Sequence, residues 1–178
     1  MEYILIGVIV VLITVFFIVW IISVQRRLAG MEENANNAMC QIGVQLAARF
    51  DVVSALMILT KGYADIQSQT LIETGMSRRS IITAGSAPEE VLKQERILSE
   101  ILGYISMVAE RNPELKTNEN YAKCMNAADG YEKMVRTSCL IYNDSVTRLN
   151  HELRIFPTSL IAGIFGFRQR DYVEIEEP

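Results

Sequence analysis

LAGMEENANNAMCQIGVQLAARFDVVSALMILTKGY, residues 28–63, decides the fold. Its apolar residues Leu28, Met31, Ala35, Ala38, Ile42, Leu46, Val53, Leu56 and Tyr63 recur mostly every three or four positions. The step from Leu46 to Val53 is a whole heptad, with Arg49 and Phe50 inside it. That spacing keeps a single stripe on one side of a 3.6-residue helix. No proline interrupts it, so the periodicity predicts one helix over residues 28–73, on the order of 70 Å long. Gly30 offers a joint near its start. Asn34, Asn36 and Asn37 are mediocre helix formers, and their clustering suggests an interhelical hydrogen-bonding layer near the membrane.

Downstream, residues 74–85 lie between Gly75 and Gly85 and predict a bend or a fraying end. Ser86-Ala87-Pro88-Glu89 has the form of a capping box with proline in the first turn. The stripe Val91, Leu98, Ile101, Leu102, Ile105 and Val108 follows, and Asn112-Pro113 stops it. A third helix is predicted from residue 117 or 118 to 156, with Asn118 and Asn120 at its start. Its stripe runs through Tyr121, Cys124, Ala128, Tyr131, Val135, Ser138, Tyr142, Val146, Leu149, Leu153 and Phe156. Strand signals are nearly absent. Three long helices joined by short turns predict an all-α, antiparallel, four-helix-bundle-like domain.

Upstream, residues Tyr3 to Val24 carry no charge. A helix needs about 20 apolar residues to cross a bilayer core. Tyr3 and Trp20 place aromatic rings near the two interfaces. A cleaved signal peptide fits worse, because no basic residue precedes the stretch and it is too long for such a segment. The expected organisation is an anchor at 1–25, a bundle at 26–156, and a short apolar segment with an acidic tail at 157–178. Arg26 and Arg27 follow the span and Glu2 precedes it. The positive-inside rule then places the N-terminus outside and the bundle in the cytoplasm, at the cell's inner membrane.

The chemistry-bearing residues are sparse. The 178 residues include one histidine and three cysteines, too few for a zinc ribbon or a disulfide framework. His151 has no His or Cys at ligand spacing, and no Glu-x-x-His pair points to a di-iron bundle. No catalytic residue, metal or cofactor is expected. A net charge of −4 argues against nucleic acid as a partner. Arg49 and Asp51 lie two positions apart and so do not face each other; each is expected to pair with another helix. The segment Phe156, Pro157, Leu160, Ile161, Ile164, Phe165, Phe167 is apolar and too short to span a bilayer. It either folds back to close the bundle, touches the membrane surface with Arg168 and Arg170 near the headgroups, or forms an interface.

Several ordered pieces carry a family resemblance. They are Glu33-Asn34-Ala35-Asn36-Asn37-Ala38, Val44-Gln45-Leu46 with Arg49 and Asp51, and Lys61-Gly62-Tyr63-Ala64. Pro113-Glu114-Leu115-Lys116, Asn118-Glu119-Asn120, Tyr142-Asn143-Asp144, Phe156-Pro157 and Gly166-Phe167 with Tyr172 follow. Behind a single amino-terminal span, this order resembles the LemA family. The chain departs from it at Met39, where a tryptophan is common. It departs again at Val53-Ser54-Ala55, in place of an Ile-Pro-Asn turn, which should leave the first helix straighter. The resemblance implies a mostly four-helical bundle on a membrane anchor, with Asn37, Arg49, Asp51, Tyr142 and Asn143 as structural polar residues and no established enzymatic activity. Relatives among magnetosome proteins tie it to membrane organisation. The expected function is a non-enzymatic, self-associating scaffold that organises membrane or partner proteins; the alternative is a monomeric or dimeric adaptor that tethers an envelope enzyme.

Overall fold

The computed structural model describes residues 1–174. The fold is all-α. Its elements are α1 (Glu2–Thr60), α2 (Ile66–Ser77), α3 (Pro88–Arg111), the single turn α4 (Pro113–Lys116), α5 (Glu119–Arg154) and α6 (Thr158–Phe165). The long apolar helix α1 opens the chain, and long helices interact in a bundle behind it. The described residues divide into two compact units, one made of residues 1–35 and 144–170, the other of 36–143 and 171–174.

In the first unit, α1 carries the membrane span. Its most apolar 18-residue window has a mean hydropathy of 3.3 and none of it is buried against protein. Such a surface is stable only when covered, and a bilayer covers it at no cost in backbone polarity, because every peptide group is bonded within the helix. Helix α1 continues through Gly30 without a break. Just past the span, Leu28 packs with Leu149 and Leu153 of α5 and Ala162 of α6, and Val24, Met31 and Phe167 close around them. Helix α6 ends at Gly166, whose φ of 78° is the left-handed conformation that glycine adopts without steric cost.

In the second unit, the predicted stripes face inward. Ala38, Ile42, Leu46, Val53 and Leu56 of α1 are buried, as are Val91, Leu98, Ile101, Leu102, Ile105 and Val108 of α3. Phe50 fills part of the heptad gap at 1% exposure, and Arg79 stacks over its ring at 5.4 Å. On α5, Tyr121, Ala128, Val135, Ser138 and Tyr142 are buried, while Cys124 is only half-buried and Cys139 takes the deeper place.

Three local expectations are corrected. The helix expected over 28–73 ends at Thr60, and a turn at residues 61–64 separates it from α2. Asp65 caps α2 by accepting the Ser68 N–H at 2.8 Å. Those hydrogen bonds hold the Asp65 carboxyl below its usual range, with Arg111 adding a smaller effect. Second, Ser86-Glu89 forms no capping box: Ala87 is the N-cap of α3, and the Ser86 hydroxyl accepts the Thr83 N–H instead. Third, α5 ends at Arg154, so Phe156 leaves the stripe and is 74% exposed.

The segment between α2 and α3 lies tightly on α1. A Cβ at Gly43 would stand 2.4 Å from the Ile82 carbonyl oxygen, which is backbone and cannot swing away. Gln94, itself buried, fixes the start of this segment by accepting the Ser80 N–H and donating to the Arg78 carbonyl. Gly43→Ala is therefore expected to destabilise the second unit by about 1–3 kcal/mol through overpacking, against a helix-propensity gain of about 1 kcal/mol. Thermal unfolding by far-UV circular dichroism in mild detergent checks it; an unchanged or raised Tm contradicts the close approach.

Candidate functional site

Arg49 is the centre of the most developed polar arrangement. It projects from the middle of α1 at 1% exposure, at a position where the helical spacing dictates an inward direction. A guanidinium cannot shed its charge, so burial demands anionic partners. Glu95 of α3 and Glu132 of α5 supply them, accepting from Nη1 and Nη2 at 2.5 Å each. One arginine thus ties three helices together. Arg136 stands 3.9 Å from the other oxygen of Glu132. Arg49 Nε and Glu95 Oε1 are buried without a hydrogen-bond partner. Burial pushes the Glu95 carboxyl above its usual range, against the opposing pull of Arg49.

A cleft of about 360 Å³ opens beside this node, lined by Val91, Arg96, Ser99, Val135, Cys139 and Val173 as well as both glutamates. Burial, with the Glu95 charge, pushes the Cys139 thiol up to about 12, which leaves it protonated and a poor nucleophile at neutral pH. Among the described residues, no group of three or more His, Cys, Asp or Glu side chains is arranged to hold a metal ion. Arg49 and the two glutamates thus pair charge across three helices.

Asp51 accepts from Arg79 at 2.9 Å on the surface, with Asp51 70% exposed. Arg49 and Asp51 thus go to different partners, as their spacing requires. Asn34 and Asn37 are exposed and Asn36 is half-buried. The expected asparagine layer therefore does not form there: the inward stripe is taken by Ala35, Ala38 and Met39.

The asparagines that work lie on α5. Asn143 grips the main chain of Val173 with both side-chain atoms, donating to its carbonyl and accepting its N–H at 2.9 Å each. The Tyr142 hydroxyl donates to the Asp171 carbonyl at 3.1 Å. In the first unit Asn150 grips Arg170 the same way, at 2.9 and 3.0 Å. Residues 170–173 thus form a strap that α5 holds by the main chain of Arg170, Asp171 and Val173. Asn150, Glu95, Glu132 and Gln94 escaped the sequence reading. A polar residue seven places from Asn143 on a buried stripe was the available signal for Asn150.

At the membrane end, Tyr3 is exposed, Trp20 and Val24 are half-buried, and Arg26 and Arg27 are exposed. Arg27 pairs with Glu152 at 2.6 Å, and Arg170 lies 3.5 Å from Glu32. The apolar segment divides in two. Ile161 and Ala162 are buried and Phe167 is half-buried, whereas Phe156, Leu160, Ile164 and Phe165 are exposed at 74, 61, 80 and 47%. His151 is exposed.

A family model described as the LemA family matches residues 38–178. Magnetosome proteins MamQ 1 and MamQ 2 of Paramagnetospirillum magneticum are each 24% identical to the chain over 196 residues, covering 96% of it and 72% of the relative.

Proposed function

The chain belongs to the LemA family, and on that premise we propose that this membrane protein is a non-enzymatic helical scaffold that self-associates and organises membrane or partner proteins. The observation that carries the reading is the surplus of apolar surface on the long helices after the core is filled. Val44 and Ile58 of α1 and Met134 and Leu140 of α5 are 64, 68, 52 and 60% exposed. Exposed apolar side chains on helices already packed along their other sides offer surface for a further helix. The polar interior supports the same reading, because Arg49 and its glutamates tie helices together and leave no activated group. The likeness to magnetosome proteins agrees with a role at a membrane. Residues 1–25 serve as the anchor, 26–156 as the scaffold and 157–178 as an accessory segment. The arginine pair after the span orients the bundle toward the cytoplasm with the N-terminus outside.

Particle mass in lipid discs, with the span retained, tests the reading. A large uniform oligomer is expected, and Val44→Glu with Leu140→Glu should reduce it to smaller species while leaving helicity intact. A wild-type monomer in discs overturns self-association and favours an adaptor that tethers a membrane-bound enzyme through its helical face.

A further inference from the structure

Helix α6 packs at the point where the span leaves the hydrocarbon. Its Ala162 and the following Phe167 touch the cluster of Val24, Leu28 and Met31 on α1. Val24 ends the uncharged stretch, and Leu28 lies only about 6 Å farther along the helix axis. The polar headgroup zone on each side of a bilayer core is itself about 5–8 Å deep. The contacts therefore keep α6 beside the end of the uncharged stretch.

The two sides of α6 differ in the way an interfacial helix requires. Ile161 and Ala162 face the protein, and Leu160, Ile164 and Phe165, with Phe156 just before the helix, face away from it. Exposed Arg26 and Arg27 follow the span on α1, and exposed Arg154 and Arg168 stand before and after α6 in the chain. Amphipathic helices of this kind sink about 5–10 Å into the headgroup and acyl boundary, with basic residues at the phosphates.

We propose that the outward face of α6 is inserted in the headgroup region of the same bilayer that α1 crosses, as a second lipid contact of the chain. The occupant of this face is lipid, because α6 is packed through Ala162 and the following Phe167 beside Val24, the last residue of the uncharged span, and its remaining large side chains are apolar and uncovered. A span alone fixes depth but leaves rotation and tilt free. A second contact, joined to the first through Leu28, sets both. The proposal is independent of self-association.

Tryptophan fluorescence of the full chain in lipid discs tests it. Trp20→Phe removes the native indole, and Ile164→Trp or, separately, Leu160→Trp places one on the exposed face, where the added volume meets no protein. Both probes are expected to emit blue-shifted light and to lose most of their intensity when the discs contain lipid brominated near the headgroup end of its acyl chains. Both should also resist quenching by aqueous iodide. Red-shifted, iodide-quenched emission overturns the proposal. So does a blue shift without bromine quenching, which would mean that a protein surface covers the face.

Discussion

Arg49→Met is expected to destabilise the bundle by about 3–5 kcal/mol. The methionine fills much of the volume but leaves Glu95 and Glu132 without the cation that three helices share. Glu95 bears most of the loss. Its carboxyl is already raised by burial, with Arg49 the main opposing influence. Removing Arg49 raises it further. A carboxyl whose folded pKa lies above its unfolded value binds more protons when folded, so its cost is present at high pH and is relieved as pH falls through the folded pKa. The variant should therefore regain stability on acidification from neutral pH toward the unfolded glutamate range. Arg49→Met combined with Glu95→Gln should recover much of the loss at neutral pH and lose that pH dependence. Unfolding curves across pH in mild detergent measure all of this. A variant with wild-type stability, or one that weakens further on mild acidification, would contradict the role of Arg49 as a tie.

Leu28→Ala is expected to cost about 2–5 kcal/mol in the membrane-proximal unit. Leu28 is fully buried, and its neighbours Leu149, Leu153 and Ala162 come from two other helices, so the vacated space has no single side chain able to close it. Because α6 is short and its buried Ala162 belongs to the cluster around Leu28, the loss should appear locally. Hydrogen exchange is expected to show reduced protection of residues 158–165 and of 149–153, with protection of α3 unchanged. Uniform loss in both units, or none, would mean that the cluster does not hold α6.

The long helices were legible because their signal is repeated: each stripe places an apolar residue inward every turn, and a single misplaced residue does not erase it. The break at residues 61–64 was not legible in the same way. The stripe from Leu56 to Tyr63 keeps helical spacing across the turn, so periodicity alone reads through it; Gly62 and the capping residue Asp65 were the weaker signs that chain direction changes. The Ser86–Glu89 pattern misled for a local reason, since the Ser86 hydroxyl is engaged by the Thr83 N–H before the helix begins. The partners of Arg49 were out of reach of any local rule. Glu95 and Glu132 lie 46 and 83 residues away, and many acidic residues of similar appearance compete for the assignment. The asparagine cluster at 34–37 drew attention by its density, whereas burial, which density does not report, singles out Asn150 on α5.

The strap at residues 170–173 is held by Asn143, Tyr142 and Asn150 through its peptide groups. Bonds of that sort are indifferent to which copy of the chain supplies the peptide. A strap donated by one molecule to the α5 of another would make the same inventory of hydrogen bonds as a strap kept at home, with Val173 entering the same buried place. The two arrangements differ only in connectivity and in the concentration at which each prevails. The hydrogen bonds alone thus do not dictate which copy supplies the strap; the short chain connection from α6 is what keeps it at home.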